Sequence, residues 1–389
     1  MTICDVPDQP DETTSSRPPD LPENTPPLRS FYLYLSASCN LRCRHCWITP
    51  EYSGNKPLPG KTIDVEALRK GIAEAKTLGL VNAKLTGGEP TLHPHFTEIV
   101  DMLSGEGISL NMETNGTLLT PEMARYLKEH TKVGFISVSI DSPVPEEHDA
   151  FRGVKGAFKK AVNGLDCLVK AGYKNVQVIM SVHRGNRHQI AELVQLAADH
   201  KAASVKLNPV TDTGRGIAMH ERGESLDYAE SLDLMRYVNE ELRPNAKIPV
   251  ILPAPLAMTP FKEIWRTKGV ACDCGVVNIL GILGTGQIAL CGIGQTIPEL
   301  VYGTLGKDSI REIWINHPVI KNLRLALENH HDYPGICGSC VHAKNCRTGC
   351  VANNYTHGGK LVIPHWLCEE AYQRHEFPKS RLREQSSPS

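Results

Sequence analysis

Short apolar, β-branched runs recur along the first half of the chain: FYLYLS (31–36), NAKLTG (82–87), SLNMETN (109–115), GFISVSI (134–140), VQVIMSV (176–182) and SVKLNPV (204–210). Between them lie stretches with helical periodicity, such as VEALRKGIAEAKTLG (65–79) and AFKKAVNGLDCLVKAG (157–172), each ending on Gly. Strands alternating with helices predict parallel βαβ units with right-handed crossovers. The strands read as nearly continuous apolar runs, which predicts burial on both faces. The fold class is therefore α/β, a partial (β/α)6 barrel, although an open doubly wound sheet gives the same pattern. A helix at about 226–243 closes this unit, and after Pro244 the rhythm stops. A Cys- and Gly-rich region begins at about 270.

Composition refines this. The 389 residues suffice for one large domain and a smaller one. The expected division is a disordered Pro-rich tail over 1–29, a β/α domain over 30–245, a cysteine-rich domain over 246–375 and a second disordered tail over 376–389. A net charge of -1 offers no field for nucleic acid. No apolar run is long enough to span a membrane, and the acidic, Pro-rich N-terminus lacks the apolar core of a secretory signal. The expected location is cytoplasmic, where thiols stay reduced. Thirteen cysteines there call for metal or cluster ligation rather than disulfides.

The chemistry-bearing segments fall on one rim. In parallel β/α folds, sites gather in the loops after the C-terminal ends of strands. The first such loop holds CNLRCRHC, with Cys39, Cys43 and Cys46 spaced Cys-x3-Cys-x2-Cys. The next reads TGGEP (86–90), the third strand runs into ETNGT (113–117), and the fourth ends in SVSIDS (137–142). Three thiolates can hold three irons of a [4Fe–4S] cube and leave the fourth iron to a small chelating molecule.

This arrangement resembles the radical S-adenosylmethionine (SAM) superfamily, whose motif has an aromatic residue before the last cysteine, here His45. The resemblance implies that SAM completes the cube through its amino and carboxylate groups. It implies that Glu89 of GGEP accepts from the ligand's ammonium, while Gly87 and Gly88 permit close backbone approach. It further places Asn115, Ser139 and Asp141 near the ribose and amino-acid portions, and His45 and Trp47 against the adenine. Turn chemistry is the plainer explanation for Asn115, Ser139 and Asp141.

A second constellation follows: Cys272 and Cys274, Gly286-x4-Cys291, then Cys337-x2-Cys340-x5-Cys346-x3-Cys350, and finally Cys368. It resembles the SPASM extension, which carries two auxiliary [4Fe–4S] clusters. The resemblance implies Cys272, Cys274, Cys291 and Cys350 for the first and Cys337, Cys340, Cys346 and Cys368 for the second. The single residue between Cys272 and Cys274 departs from the expected spacing, so either both ligate or one site stays open for substrate. A zinc ribbon is the alternative for Cys337 to Cys350. Cys4 falls in the tail, and Cys167 on an amphipathic helix reads as a core residue.

The implied cofactors are three [4Fe–4S] clusters and SAM. The implied reaction is reductive SAM cleavage, hydrogen abstraction from substrate, and passage of an electron to an auxiliary cluster. The implied substrate is a ribosomally made peptide, as for maturases of the SynChlorMet type, or else a small molecule. The implied partners are an electron donor such as flavodoxin or ferredoxin and a separate leader-binding protein, because no winged-helix module precedes the first strand. Sulfatase-maturating and heme-pathway tetrapyrrole enzymes are the alternatives. A non-catalytic iron–sulfur carrier is disfavoured, since a carrier has no use for GGEP.

Overall fold

The computed structural model describes residues 17–50, 52–53, 56–57, 60–266 and 275–383. All six apolar runs are strands: β1 (Ser30–Ser36), β2 (Asn82–Gly87), β3 (Ser109–Thr114), β4 (Val133–Ser139), β5 (Val176–Val182) and β6 (Ser204–Pro209). The intervening helices are α1 (Val65–Thr77), α2 (Phe96–Gly105), α3 (Pro121–His130), α4 (Pro145–Arg152), α5 (Ala157–Lys170) and α6 (Ile190–Asp199), and α7 (Tyr228–Tyr237) follows. Asp64 and Thr120 cap α1 and α3 through their side chains, and Asp227 and Glu230 form a capping box on α7.

The sheet is open and longer than six strands. A short β7 (Val250–Ile251) pairs in parallel with β6 at one end. At the other, β8 (Ile279–Ile282) pairs in parallel with β1, and β9 (Gln287–Ala289) and β10 (Val301–Thr304) add antiparallel strands. The boundary expected at 245/246 therefore falls inside one hydrogen-bonded sheet. The cysteine-rich region continues with α8 (Ile310–Asn316), α9 (Pro318–Glu328), α10 (Ala343–Cys346), α11 (Val351–Gly358) and α12 (Trp366–Gln373). Glu74 of α1 locks α8 against the barrel, accepting from Ile310 N at 3.0 Å, Arg311 N at 3.1 Å and the Ser309 hydroxyl.

Both strand faces are buried, as expected, but they differ in character. Phe31, Leu33, Leu85, Met112, Val138, Val178 and Leu207 point to the helices and join the main core. Their alternates, among them Tyr32, Lys84, Glu113, Ser137, Gln177, Lys206 and Asn208, line the inside of the curve. These inner groups satisfy one another: Lys84 pairs with Glu113, Thr86 Oγ1 donates to Glu113 at 3.2 Å, and Gln177 Nε2 donates to Ser204 at 3.1 Å. A polar interior is expensive to bury and suits a barrel that encloses a ligand.

Both tails pack against the fold where described. Leu21 and Leu28 are buried, and Trp314 Nε1 donates to Pro26 O at 2.8 Å, so residues 17–29 strap β1 to α8. Phe377 and Arg381 are buried, and Arg383 N donates to Ser339 O at 2.8 Å. Polar composition hid these anchors, which rest on a few apolar side chains and on backbone pairing. Residues 1–16, with Cys4, and 384–389 lie outside the described residues.

Candidate functional site

The three cysteines of the first loop lie together at the C-terminal rim. Cys39 and Cys43 are buried, while Cys46 is partly exposed. Burial raises both buried thiols, Cys43 to about 11, with the Arg152 guanidinium pulling that one back down. Arg152 Nη1 stands 3.6 Å from Cys43 Sγ. Asn115 Nδ2 lies 3.8 Å from Cys39 Sγ and donates to Asn40 Oδ1 at 2.8 Å.

The GGEP loop is built against this loop. Gly88 N donates to Ser36 O at 2.8 Å and Glu89 N to Ser38 O at 2.9 Å. A Cβ on Gly88 would lie 2.0 Å from Ser38 O, and Gly87 adopts φ +123°, so both glycines let two protein segments touch. Glu89 has 0% exposure. Its carboxylate accepts from Thr91 Oγ1 at 2.7 Å, Thr114 Oγ1 at 2.8 Å and Asn115 N at 2.8 Å. Glu89 thus ties β2 to β3 beneath the cysteine loop. Burial raises its pKa, and those donors oppose the rise.

Asp141 is held in a comparable way. It is buried, accepts from Ser181 N at 2.8 Å and pairs with Arg152. Burial alone would raise its pKa, but Arg152, His45 and His148 outweigh that and hold it at about 2. Asp141 thus aims Arg152, a residue whose importance no short motif announced. Asn115 likewise braces Cys39, and Ser139 alone of these three faces open space.

That space is a chamber of about 330 Å³ enclosed by both halves of the chain. His45, Trp47, Ser139 and Arg152 bound it on the barrel side; Cys291, Cys346 and Cys350 bound it on the other. His45 stacks on Phe151 with centroids 4.7 Å apart, and its Nε2 lies 3.0 Å from Ser181 Oγ. Burial lowers its pKa to about 3, so the ring is neutral. Trp47 packs edge-on against Tyr34 at 5.6 Å.

The C-terminal thiols fall into two groups. Burial pushes Cys337 up to about 12 with Cys346 and Cys340 adding to it, and Cys368 is raised by burial and by Cys346, Cys337 and Cys340. Burial pushes Cys291 up to about 12, an Ile293 N–H opposes this, and Cys350 adds to it. Cys272 and Cys274 lie outside the described residues. Among the described residues no three His, Cys, Asp or Glu side chains close on one point as a single ion requires. The candidate donors in the first loop and in the C-terminal region are thiols, the ligand type that iron–sulfur clusters take.

Residues 33–197 match the model of the Radical SAM superfamily. The chain is 29% identical to the AdoMet-dependent heme synthase of Methanosarcina barkeri, covering 87% of this chain and 94% of that one. It is 26% identical to the mycofactocin maturase MftC of Mycobacterium tuberculosis, covering 89% and 84%. The structure of Streptococcus suis SuiB bound to its precursor peptide SuiA superposes with a TM-score of 0.68 at 15% identity, over 89% of this chain and 76% of that one. With the three-cysteine loop, the GGEP loop and the cysteine-rich C-terminal region in place, residues 33–197 form a Radical SAM domain, and most of the chain is similar to radical SAM enzymes of the SPASM kind.

Proposed function

We propose that this enzyme oxidatively modifies a ribosomally made peptide, whose reacting residue enters the chamber between Cys39–Cys46 and the C-terminal thiols. The observation that carries the reading is the shared wall: His45 and Trp47 on one side, Cys291, Cys346 and Cys350 on the other. When bound, a [4Fe–4S] cluster and SAM supply a 5′-deoxyadenosyl radical that takes a hydrogen atom from substrate. The protein's part is to hold, orient and exclude water. Cys39, Cys43 and Cys46 would hold the SAM-binding cluster, and Arg152 would receive the carboxylate of SAM. The two thiol groups would hold two auxiliary clusters. Peptide fits better than tetrapyrrole: Arg152 is the one cation among the described wall residues, and Asp141 already pairs with it. A polycarboxylate macrocycle would require more. The wall offers Leu256, Pro255 and Trp366 beside Asn208 and Asn353, a mix suited to a side chain flanked by peptide amides. A flavodoxin or ferredoxin would deliver the electron, a separate leader-binding protein would present the peptide, and reduced thiols fit a cytoplasmic location. Anaerobic reconstitution with SAM, dithionite and short peptides encoded beside the gene tests this. A mass change in a peptide, with 5′-deoxyadenosine released, is expected. Conversion of a tetrapyrrole with no peptide modified would overturn it.

A further inference from the structure

Cys346 and Cys350 stand four residues apart, the spacing that puts two side chains on one face of a helix. Here no single helix carries them, and in the reading proposed above they serve different auxiliary clusters. The cause is the backbone between them. α10 ends at Cys346 and α11 begins after Cys350, and Arg347, Thr348 and Gly349 all take positive φ, +49°, +65° and +81°. Glycine adopts this region freely, but a β-branched residue does so only under constraint. Thr348 is 1% exposed and has no glycine-like freedom.

The constraint is Asn354. Its side chain is buried in the second turn of α11, and its amide donates to Thr348 O at 3.3 Å and to Thr348 Oγ1 at 3.1 Å. The same amide reaches Leu361 O at 3.3 Å and Ile363 O at 3.1 Å, on the segment leading to Cys368. One side chain therefore fixes the left-handed link to the approach of a third cysteine. Arg347 N to Ala343 O at 3.0 Å and Gly349 N to Cys346 O at 2.8 Å also brace the link, but without Asn354 the buried Thr348 loses these side-chain bonds, and relaxation would swing Cys346 and Cys350 toward a common side.

We infer that Asn354 is a positioning residue that holds Arg347–Gly349 left-handed and so assigns Cys346 and Cys350 to separate clusters. The inference rests on the two auxiliary clusters proposed above. It uses no feature of the substrate.

The test is iron content and electron paramagnetic resonance of the anaerobically reconstituted full chain, as wild type, N354A, T348G and N354A/T348G. Wild type holds about twelve irons on full ligation, four per cluster. N354A is expected to lose at least about four of these while keeping the signal that responds to SAM. Glycine at 348 adopts the left-handed conformation without support, so N354A/T348G is expected to regain iron that N354A lacks. A merely structural asparagine would show no such rescue. If N354A does not fold, the double variant carries the test by folding with both auxiliary signals. Full iron and unaltered signals in N354A overturn the inference, as does a folded double variant no better loaded than N354A. About four irons in the wild type would instead overturn the auxiliary-cluster reading.

Discussion

The indole edge of Trp47 and the hydroxyl of Tyr34 both rest on the Cα of Gly292, where an added Cβ would lie 2.0 Å from Trp47 Cη2 and 2.0 Å from Tyr34 Oη. Trp47 follows Cys46 and Gly292 follows Cys291, so one aromatic ring spans from the three-cysteine loop to a cysteine of the C-terminal region. Both rings are held in a packed cluster with Ile279 and Leu283. Gly292→Ala must therefore displace a ring or move Cys291. The expected cost is about 1–3 kcal/mol by overpacking, read by chemical denaturation of the apoprotein together with a shifted tryptophan emission. An unchanged midpoint would show that the contact is loose.

The barrel and the C-terminal region share a staple in Glu74, which supplies the N-terminus of α8 with acceptors. Losing such a cap typically costs about 0.5–2 kcal/mol. Glu74→Ala should lower apoprotein stability by that amount and speed proteolysis near α8. Equal digestion of variant and wild type would remove Glu74 from this role.

Acid should destabilise the fold before it protonates the carboxylates. His148 has 0% exposure, and its Nδ1 accepts from Asp141 N at 3.1 Å. Burial lowers its pKa to about 4, Asp141 pulling upward and Arg152 downward. Unfolded, it titrates near 6.5. Between those values the unfolded chain takes a proton that the folded chain refuses, so stability falls as pH drops from about 6.5 to about 4. The full difference is on the order of 3 kcal/mol. His45 and His365, lowered by burial to about 3 and about 4, add slopes of the same sign. Replacing His148 by Gln, which keeps an acceptor but no charge, should flatten its share. Superimposable pH profiles for the two proteins would count against it.

How far the sequence reached depended on whether a residue's role was local. The strands were legible because each one is an apolar run with a turn or helix signal after it, and β2 and β5 match residue for residue. The polar inner face was harder, since Lys84 and Glu113 sit in runs whose apolar and β-branched residues dominate the reading. Their partners are residues from a neighbouring strand, which periodicity does not display. The cysteines announced themselves by spacing. Glu89 and Asp141 were legible by their place at strand ends, but the neighbours that each one braces show only in burial and donor geometry. Arg152, at the end of α4, had no motif at all, and it becomes significant only when folding sets it beside Cys43.

Arg152 gives the sharpest test of the SAM site. Its guanidinium borders the chamber, touches Cys43 and is oriented by Asp141. A carboxylate bound next to the cluster loop finds no other cation on the described wall. A charge-assisted hydrogen bond contributes about 1.5–3 kcal/mol, so Arg152→Met should weaken SAM binding roughly 10- to 100-fold. The variant also strands Asp141 as a buried charge, which costs about 3–5 kcal/mol and threatens the fold. The double variant Arg152→Met, Asp141→Asn removes that penalty, since an asparagine oxygen can still accept from Ser181 N. Calorimetric titration of SAM into the iron-loaded proteins reads the affinity, and iron content shows that the first cluster survives. Arg152→Lys keeps the charge but gives up the planar fork, so an intermediate loss is expected. Wild-type affinity in the folded, iron-loaded double variant would mean that SAM's carboxylate is held by other groups and that Arg152 serves Cys43 alone.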